Sequence, residues 1–585
     1  MLNGAPFNSH PFNGVVFVST TPEGPVVVLP PELPAEPGAI PAGFAFLWEV
    51  SLLLGGQQVA DRLTGVIEID REEGAAGVAT FSLYYPEGTP VPTDLDGAAV
   101  VIDFISETGG ETTQARRYTG TAIEPAWDVA SRVMTITCSD QLQYRVEAMS
   151  VADIDNLVGG WWTPDMFDSA DGRSRWDYAR ERLDSQPVAL DVSVNGAMRV
   201  TSWLSGLPAI TFGPGSTIYQ SIRVDLAQTR SATNRVEIEV DYRYARLWQR
   251  NDNYTWAHPG AEGHGGVQGF CTWRPQSTEL PDVAMIVGAT EGAGLTMLGN
   301  AQYYRLPPSS GDPCGNGQGW TNNHPDLLLG ATWKGARRWS QYITERYSLV
   351  LATAAGQVEG SQIISRSSVG FEIEDASAEA WENGEFTGGT SGVTDLPDDA
   401  RRDAVLSYKL RAGLAQLLAG HRGTTVSWQV PTPMALDADL VHTLELDDGT
   451  RARAKVRRIV DQFDADAGLA ITTISLAVMR LGGDSDPLTL PAKPVVDAPG
   501  SGDVGHGALQ TQLGMRNESP LYDDELDGFS GNYDDRDDDI NPDLEAFPRR
   551  FSLTASEIPA ELRDEREVPV SALYQVGIPN DLLEL

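Results

Sequence analysis

Between His421 and Leu481 the apolar and β-branched residues fall in four runs, 424–430, 441–446, 454–463 and 469–480, separated by gaps of Pro, Asp and Gly. The pattern predicts a four-strand antiparallel meander. Asp447-Asp448-Gly449 supplies the positive φ of a tight hairpin, and Asp464 to Gly468 forms a slightly longer turn. In the last run Ile474, Leu476 and Val478 share one face and Thr473, Ser475 and Ala477 the other, so the sheet offers one face to a core and one to a partner. Upstream, Leu406, Leu410, Leu414, Leu417 and Leu418 recur at helical spacing between an N-cap at Asp398 or Asp399 and a C-cap at Gly420. The spacing predicts a helix over 399–419 lying on that sheet, and together they form a unit over 345–483.

A second strand-rich unit is expected over 44–150. Phe44–Leu54, Gly55-Gly56 and Gln57–Asp70 read as a hairpin, followed by strands at 78–85, 98–106, 115–123 and 132–138. Aligning Asp128 with Asp464 places Ile123 on Ile459, Trp127 on Phe463, Val133 on Leu469 and Thr137 on Thr473 with no gap. The chain therefore carries two related β-domains far apart in sequence, or two amphipathic hairpins alike by chance.

Residues 151–344 lie between the two units and read as an inserted α+β region, with a helix near 170–183 and alternating strands around Asn195-Gly196. Ten of the 14 tryptophans fall from Trp161 to Trp339. Such density suits cores and subunit contacts, and also glycan stacking. His258, His264, Cys271 and Cys314 lie here too, at a spacing unlike any standard zinc unit. Whether Cys271 pairs with Cys314 depends on Cα positions that sequence does not give.

Charge changes the picture after Leu481. Residues 484–585 contain 23 Asp plus Glu, 7 Lys plus Arg and ten prolines, too little apolar mass for a core of their own. This acidic segment is expected to run extended and to order on binding, with an apolar docking tail from Val568 to Leu585. Asp523, Glu525, Asp527, Gly528 and Asp534 stand at positions 1, 3, 5, 6 and 12 of a calcium-loop spacing. Asp at the last place and the lack of flanking helices favour a solvated acidic run, so these are weak metal candidates and no cofactor is expected.

The whole chain has 42 Lys plus Arg against 82 Asp plus Glu, a net charge of −40. That surface repels phosphates, which excludes a DNA binder but suits a wall past which DNA slides. Arg451, Arg453, Lys455 and Arg457 alternate along one strand, which makes Arg453, Lys455 and Arg457 candidates for an interface with a neighbouring subunit. Residues 1–43 read as an extended arm with a five-residue Asn/Pro repeat and a Pro-rich linker. Neither a signal peptide nor a membrane span is expected. His421 and His442 lack a neighbouring nucleophile, and the carboxylates form no acid–base constellation, so the chain is read as no enzyme.

The motifs of the first unit (Arg62-Leu63-Thr64-Gly65, Arg71 to Ala76, Tyr118-Thr119-Gly120, Cys138-Ser139-Asp140) and of the second (Thr424-Thr425-Val426, Pro431, Asp439-Leu440, Ala454 to Ile459, Thr473 to Leu476) resemble the baseplate and tail-tip hub proteins of tailed phages. The resemblance implies a mainly β chain with some α, containing two tail-tube-like β-barrels. It also implies a homotrimeric ring that adapts a six-fold tail tube to three-fold tip components. The partners implied are the tail tube or distal tail protein, the tape-measure protein and central fibre or tip proteins, with DNA as transiting cargo and the virion tail as location. The resemblance carries no catalytic residue. The alternative is a glycan- or receptor-binding role, or a cell-wall hydrolase, in the inserted region.

Overall fold

A computed structural model describes residues 46–227, 232–258, 277–357, 363–373, 389–498, 500, 502–513, 522–531, 547 and 549–585. The N-terminal arm, His264, Cys271 and Asp534 lie outside them. The chain is mainly β. One sheet contains fourteen strands, another ten.

In the first unit the strands are β1 (Leu47–Leu54), β2 (Leu63–Glu72), β3 (Val78–Tyr84), β4 (Ala99–Thr108), β5 (Glu111–Asp128) and β6 (Val133–Ser139). Their order in the sheet is β2-β3-β6-β5-β4-β1. The hairpin expected at Gly55-Gly56 is only two pairs long, Leu53 with Gln58 and Leu54 with Gln57. A 3-10 turn at Ala60–Arg62 ends the run there, and β1 pairs instead along β4. Leu52, Ile69, Phe81, Ile102, Phe104 and Ile136, all fully buried, fill the core.

The inserted region contributes helix α1 (Arg175–Leu183), two short strands, β7 (Ile210–Phe212) and β8 (Arg223–Asp225), and two long ones, β9 (Thr233–Ala257) and β10 (Leu328–Ala352). These last two pair antiparallel without a break from Arg235↔Ala352 to Ala257↔Gly330. At ~3.4 Å per residue that ribbon is roughly 80 Å long. Four of the ten tryptophans counted between Trp161 and Trp339 lie on it. Trp248, Trp256 and Trp333 are fully buried, and Trp339 stacks on Trp248 and donates to the Leu562 carbonyl.

Helix α2 (Asp399–Gly420) is capped by Asp398, whose carboxylate accepts from the Arg401 amide. Beyond it come β11 (Thr424–Pro431), β12 (Thr443–Asp448), β13 (Thr450–Asp464) and β14 (Leu469–Val478). Both turns fall where the sequence places them, with Gly449 and Gly468 at φ 69° and 70°. The meander, however, is replaced by the order β11-β14-β13-β12, because β11 pairs with β14. Eleven residues separate β11 from β12, beyond ordinary hairpin length. A 3-10 turn at Thr432–Ala435 starts that crossing.

The helix also lies elsewhere than expected. Its Val405, Leu406, Leu410, Leu414, Leu417 and Leu418 pack on Val236, Ile238, Val240, Leu349 and Leu351 of the β9–β10 ribbon. The apolar face of the β11–β14 sheet is already filled by its own residues together with Ile210 and Phe212 of β7. Heptad-like spacing specifies a buried stripe without specifying which sheet buries it. At Gly413 an added Cβ would stand 3.1 Å from Ile238 and 3.3 Å from Leu351. Gly413→Val is expected to overpack this contact and cost about 1–3 kcal/mol, read as a shift in the urea midpoint.

The acidic C-terminal segment runs extended over its own chain. Strand β15 (Val504–Gln512) lies parallel to β9, β16 (Arg566–Gln575) parallel to β10, and β17 (Leu582–Glu584) antiparallel to β13. The ribbon edges provide the backbone partners that this composition cannot provide for itself.

Candidate assembly site

The two units are one motif built twice. In the first, β3-β6-β5-β4 places the first strand of four beside the last, and β11-β14-β13-β12 does the same in the second. The hairpins share a register: Asp128 faces Val133 and Glu124 faces Thr137, as Asp464 faces Leu469 and Val460 faces Thr473. Each long strand carries a bulge past that stretch, at Ile123 in β5 and at Arg457 in β13. The sheet joins them edge to edge through β2 and β13, from Arg458↔Glu72 to Asp464↔Val66. Among the described residues no strand pairing closes either unit into a barrel.

A buried ionic chain crosses this joint. From β5, Arg117 donates through Nε and Nη2 to both oxygens of Asp461 on β13, at 3.0 and 2.8 Å, and through Nη1 to the Leu436 carbonyl at 3.0 Å. Arg71 of β2 lies 3.6 Å from Asp461 and 3.1 Å from Asp439. Arg199 continues the chain, donating to Asp439 and to Asp191, both at 2.7 Å. Thr472 adds a 2.6 Å bond to Asp461. The first unit, the insertion and the second unit are thus tied by groups of which Arg117, Arg71, Asp191 and Asp461 are almost wholly inaccessible. A planar guanidinium meeting a carboxylate with two bonds fixes orientation as well as distance.

Burial alone would push Asp461 and Asp439 up, but the guanidiniums around them outweigh it and hold both below the ordinary carboxylate value. Asp191 is pushed the other way, burial exceeding the pull of Arg199. The sequence does contain a signal for this chain. Ile67, Ile69 and Arg71 alternate on one face of β2, as Ile459, Asp461 and Phe463 do on β13, so each strand has a charge in core phase.

The interface candidates separate. Lys455 is buried and donates to the Leu440 carbonyl, which leaves it unavailable to a neighbouring subunit, and burial lowers its pKa to about 8. Arg453 is half-buried. Arg457 is exposed and sits 3.5 Å from Glu72 of its own chain. Among the metal candidates, the Asp527 carboxylate accepts from the amide and hydroxyl of Thr554, and the Asp523 carboxylate accepts from the Glu525 amide. Gly528 serves a close approach: a Cβ there would fall 1.8 Å from the Gln510 carbonyl oxygen. Among the described residues no three His, Cys, Asp or Glu side chains are grouped to hold a metal. Cys314 is disulfide-bonded, and Cys138 is free and fully buried in the first core. No helix of the described residues is long and apolar enough to cross a membrane.

No protein-family model matches the chain, and no curated protein does. Among solved structures it is similar to the 43 kDa tail protein of prophage MuSo2 from Shewanella oneidensis, with 13% identity, 74% of this chain and 98% of that one covered, and a TM-score of 0.35. It is similar to the tail protein from Neisseria meningitidis MC58 at 10% identity, over 73% of this chain and 96% of that one, again with a TM-score of 0.35. For the Francisella PdpA-VgrG complex the values are 9% identity, 75% of this chain, 53% of that one, and a TM-score of 0.31. These three are a prophage tail protein, a bacterial tail protein and a VgrG-containing complex.

Proposed function

We propose that the chain is the structural hub of a phage tail tip or baseplate. Three copies form a ring that joins a six-fold tail tube to three-fold tip components and lines part of the path along which DNA leaves. The observation that supports this reading most is the doubled motif. A closed ring of six similar units made from three chains requires two such units per chain, side by side and joined at a fixed angle. The edge-to-edge pairing of β2 with β13 and the buried Arg117–Asp461 pair provide that fixed joint. The net charge of −40 fits a wall that does not hold a sliding polyanion. The role is structural, with the tail tube or distal tail protein, the tape-measure protein and the central fibre or tip proteins as partners. Gold-labelled antibody against the chain should mark the tip of assembled tails. Label along the tube, on the head, or absent from particles would contradict the hub reading.

A further inference from the structure

The doubled motif leaves two strand edges open, and each open edge is the counterpart of one that the chain itself covers. On β13 the edge that first pairs with β12 goes on to pair with β2. On β5 the same edge pairs with β4 and with Ala98, and among the described residues no strand continues along that edge at Ile123 to Asp128, whose other edge is held by β6. Burial records the difference: Ile459 is 0% exposed and its counterpart Ile123 is 37% exposed. Glu124, Pro125 and Ala126 are exposed as well, so both faces of this stretch meet solvent.

The covering strand also has a counterpart. Strand β2 lies antiparallel beside β3, and β8 lies antiparallel beside β11 in the matching place. The other edge of β2 is taken by β13. In β8 that edge is open, because β8 ends the sheet among the described residues.

We infer that β8 of a second copy docks along residues 122–128 of β5, repeating between chains the joint that β2 and β13 make within one. This rests on the hub reading for the expectation that copies associate, and it names the surfaces and register. Val78 faces Ser139 as Ser427 faces Ser475, so Asp70 opposite Val78 corresponds to Arg223 opposite Ser427. Asp70 also faces Val460, whose counterpart is Glu124. Arg223 of one copy therefore faces Glu124 of the next, and Val224 faces Ile123. An opposite-charge pair and an aliphatic pair come together in one register, the arrangement that stabilises adjacent strands. Pro125 removes one amide from the open stretch, which blunts pairing with arbitrary strands. The two surfaces differ, so the association is head to tail and able to close into a ring.

The test uses the full chain carrying both E124C and R223C. Side chains directly opposite in paired strands lie within reach of a disulfide, and both positions are exposed, so folding is retained. Mild oxidation should shift most of the double variant to bands at multiples of the 63.1 kDa chain, reversed by dithiothreitol. Wild type and R223C alone should stay at the single-chain position. If light scattering shows an oligomer yet the double variant does not cross-link, the β5–β8 joint is wrong while the hub reading stands. Cross-linking of E124C alone would show a two-fold contact between β5 edges and would overturn the joint. A chain that stays monomeric at every concentration and in the particle would overturn both.

Discussion

Asp461→Ala is expected to destabilise the protein by about 3–5 kcal/mol, the cost of leaving a buried guanidinium without its counter-charge. Arg117 would lose both of its bonds to Asp461, and Arg71 one of its two carboxylates. A urea titration near neutral pH would show the loss as a lowered midpoint. Asp70→Ala is the control, because its partner Arg458 and Asp70 itself are both partly exposed. That surface pair should be worth less than about 1 kcal/mol. The same site sets an acid limit. Asp461 and Asp439 have folded pKa values below their unfolded ones, so the folded chain binds fewer protons than the unfolded chain. Their contribution is fully present above about pH 4 and drains away as pH falls toward the folded values. Asp461→Ala should flatten that acid transition as well as lower the midpoint; an unchanged acid profile would mean that other groups set it.

The second large effect concerns the C-terminus, whose composition reads as an extended acidic segment ending in an apolar docking tail. A chain ending at Arg563 lacks β16, which pairs with β10 over Ile343 to Ala352, and lacks β17. It also lacks Tyr574, Val576 and Ile578, which are at most 6% exposed and belong to the core beneath helix α2. Each such side chain contributes about 1.5–3 kcal/mol by burial. The truncated chain should lose about 5 kcal/mol or more, and limited proteolysis should then cut the β9–β10 ribbon at protease levels the full chain resists. Equal resistance of the two chains would show that these residues are not part of the fold.

What the sequence made legible follows from how local each signal is. Strand runs, the Gly449 and Gly468 turns and the Asp398 cap are set by neighbours in the chain, and they stand where the pattern puts them. The kinship of the two hairpins was readable because a shared register keeps Asp128 and Asp464 equally far from Val133 and Leu469. Which sheet receives helix α2, and that β11 crosses to β14, depend on contacts between distant residues that periodicity does not encode. The ionic chain at the joint was half legible. Arg71 and Asp461 stand out as charges in core phase, but nothing in either strand names Arg117, 344 residues before Asp461, as the partner. Alternation along β13 grouped Lys455 with Arg453, and only the fold shows that one of them is interior.

In the proposed hub one β motif, doubled within the chain, is repeated around a ring. A density map of the purified assembly by electron cryomicroscopy tests it most directly. The expected map shows a closed ring of three chains with six similar β units, in which the β2–β13 joint within a chain alternates with a matching β8–β5 joint between chains. A two-fold dimer, an open filament, or a ring in which residues 122–128 face solvent in every copy would contradict it.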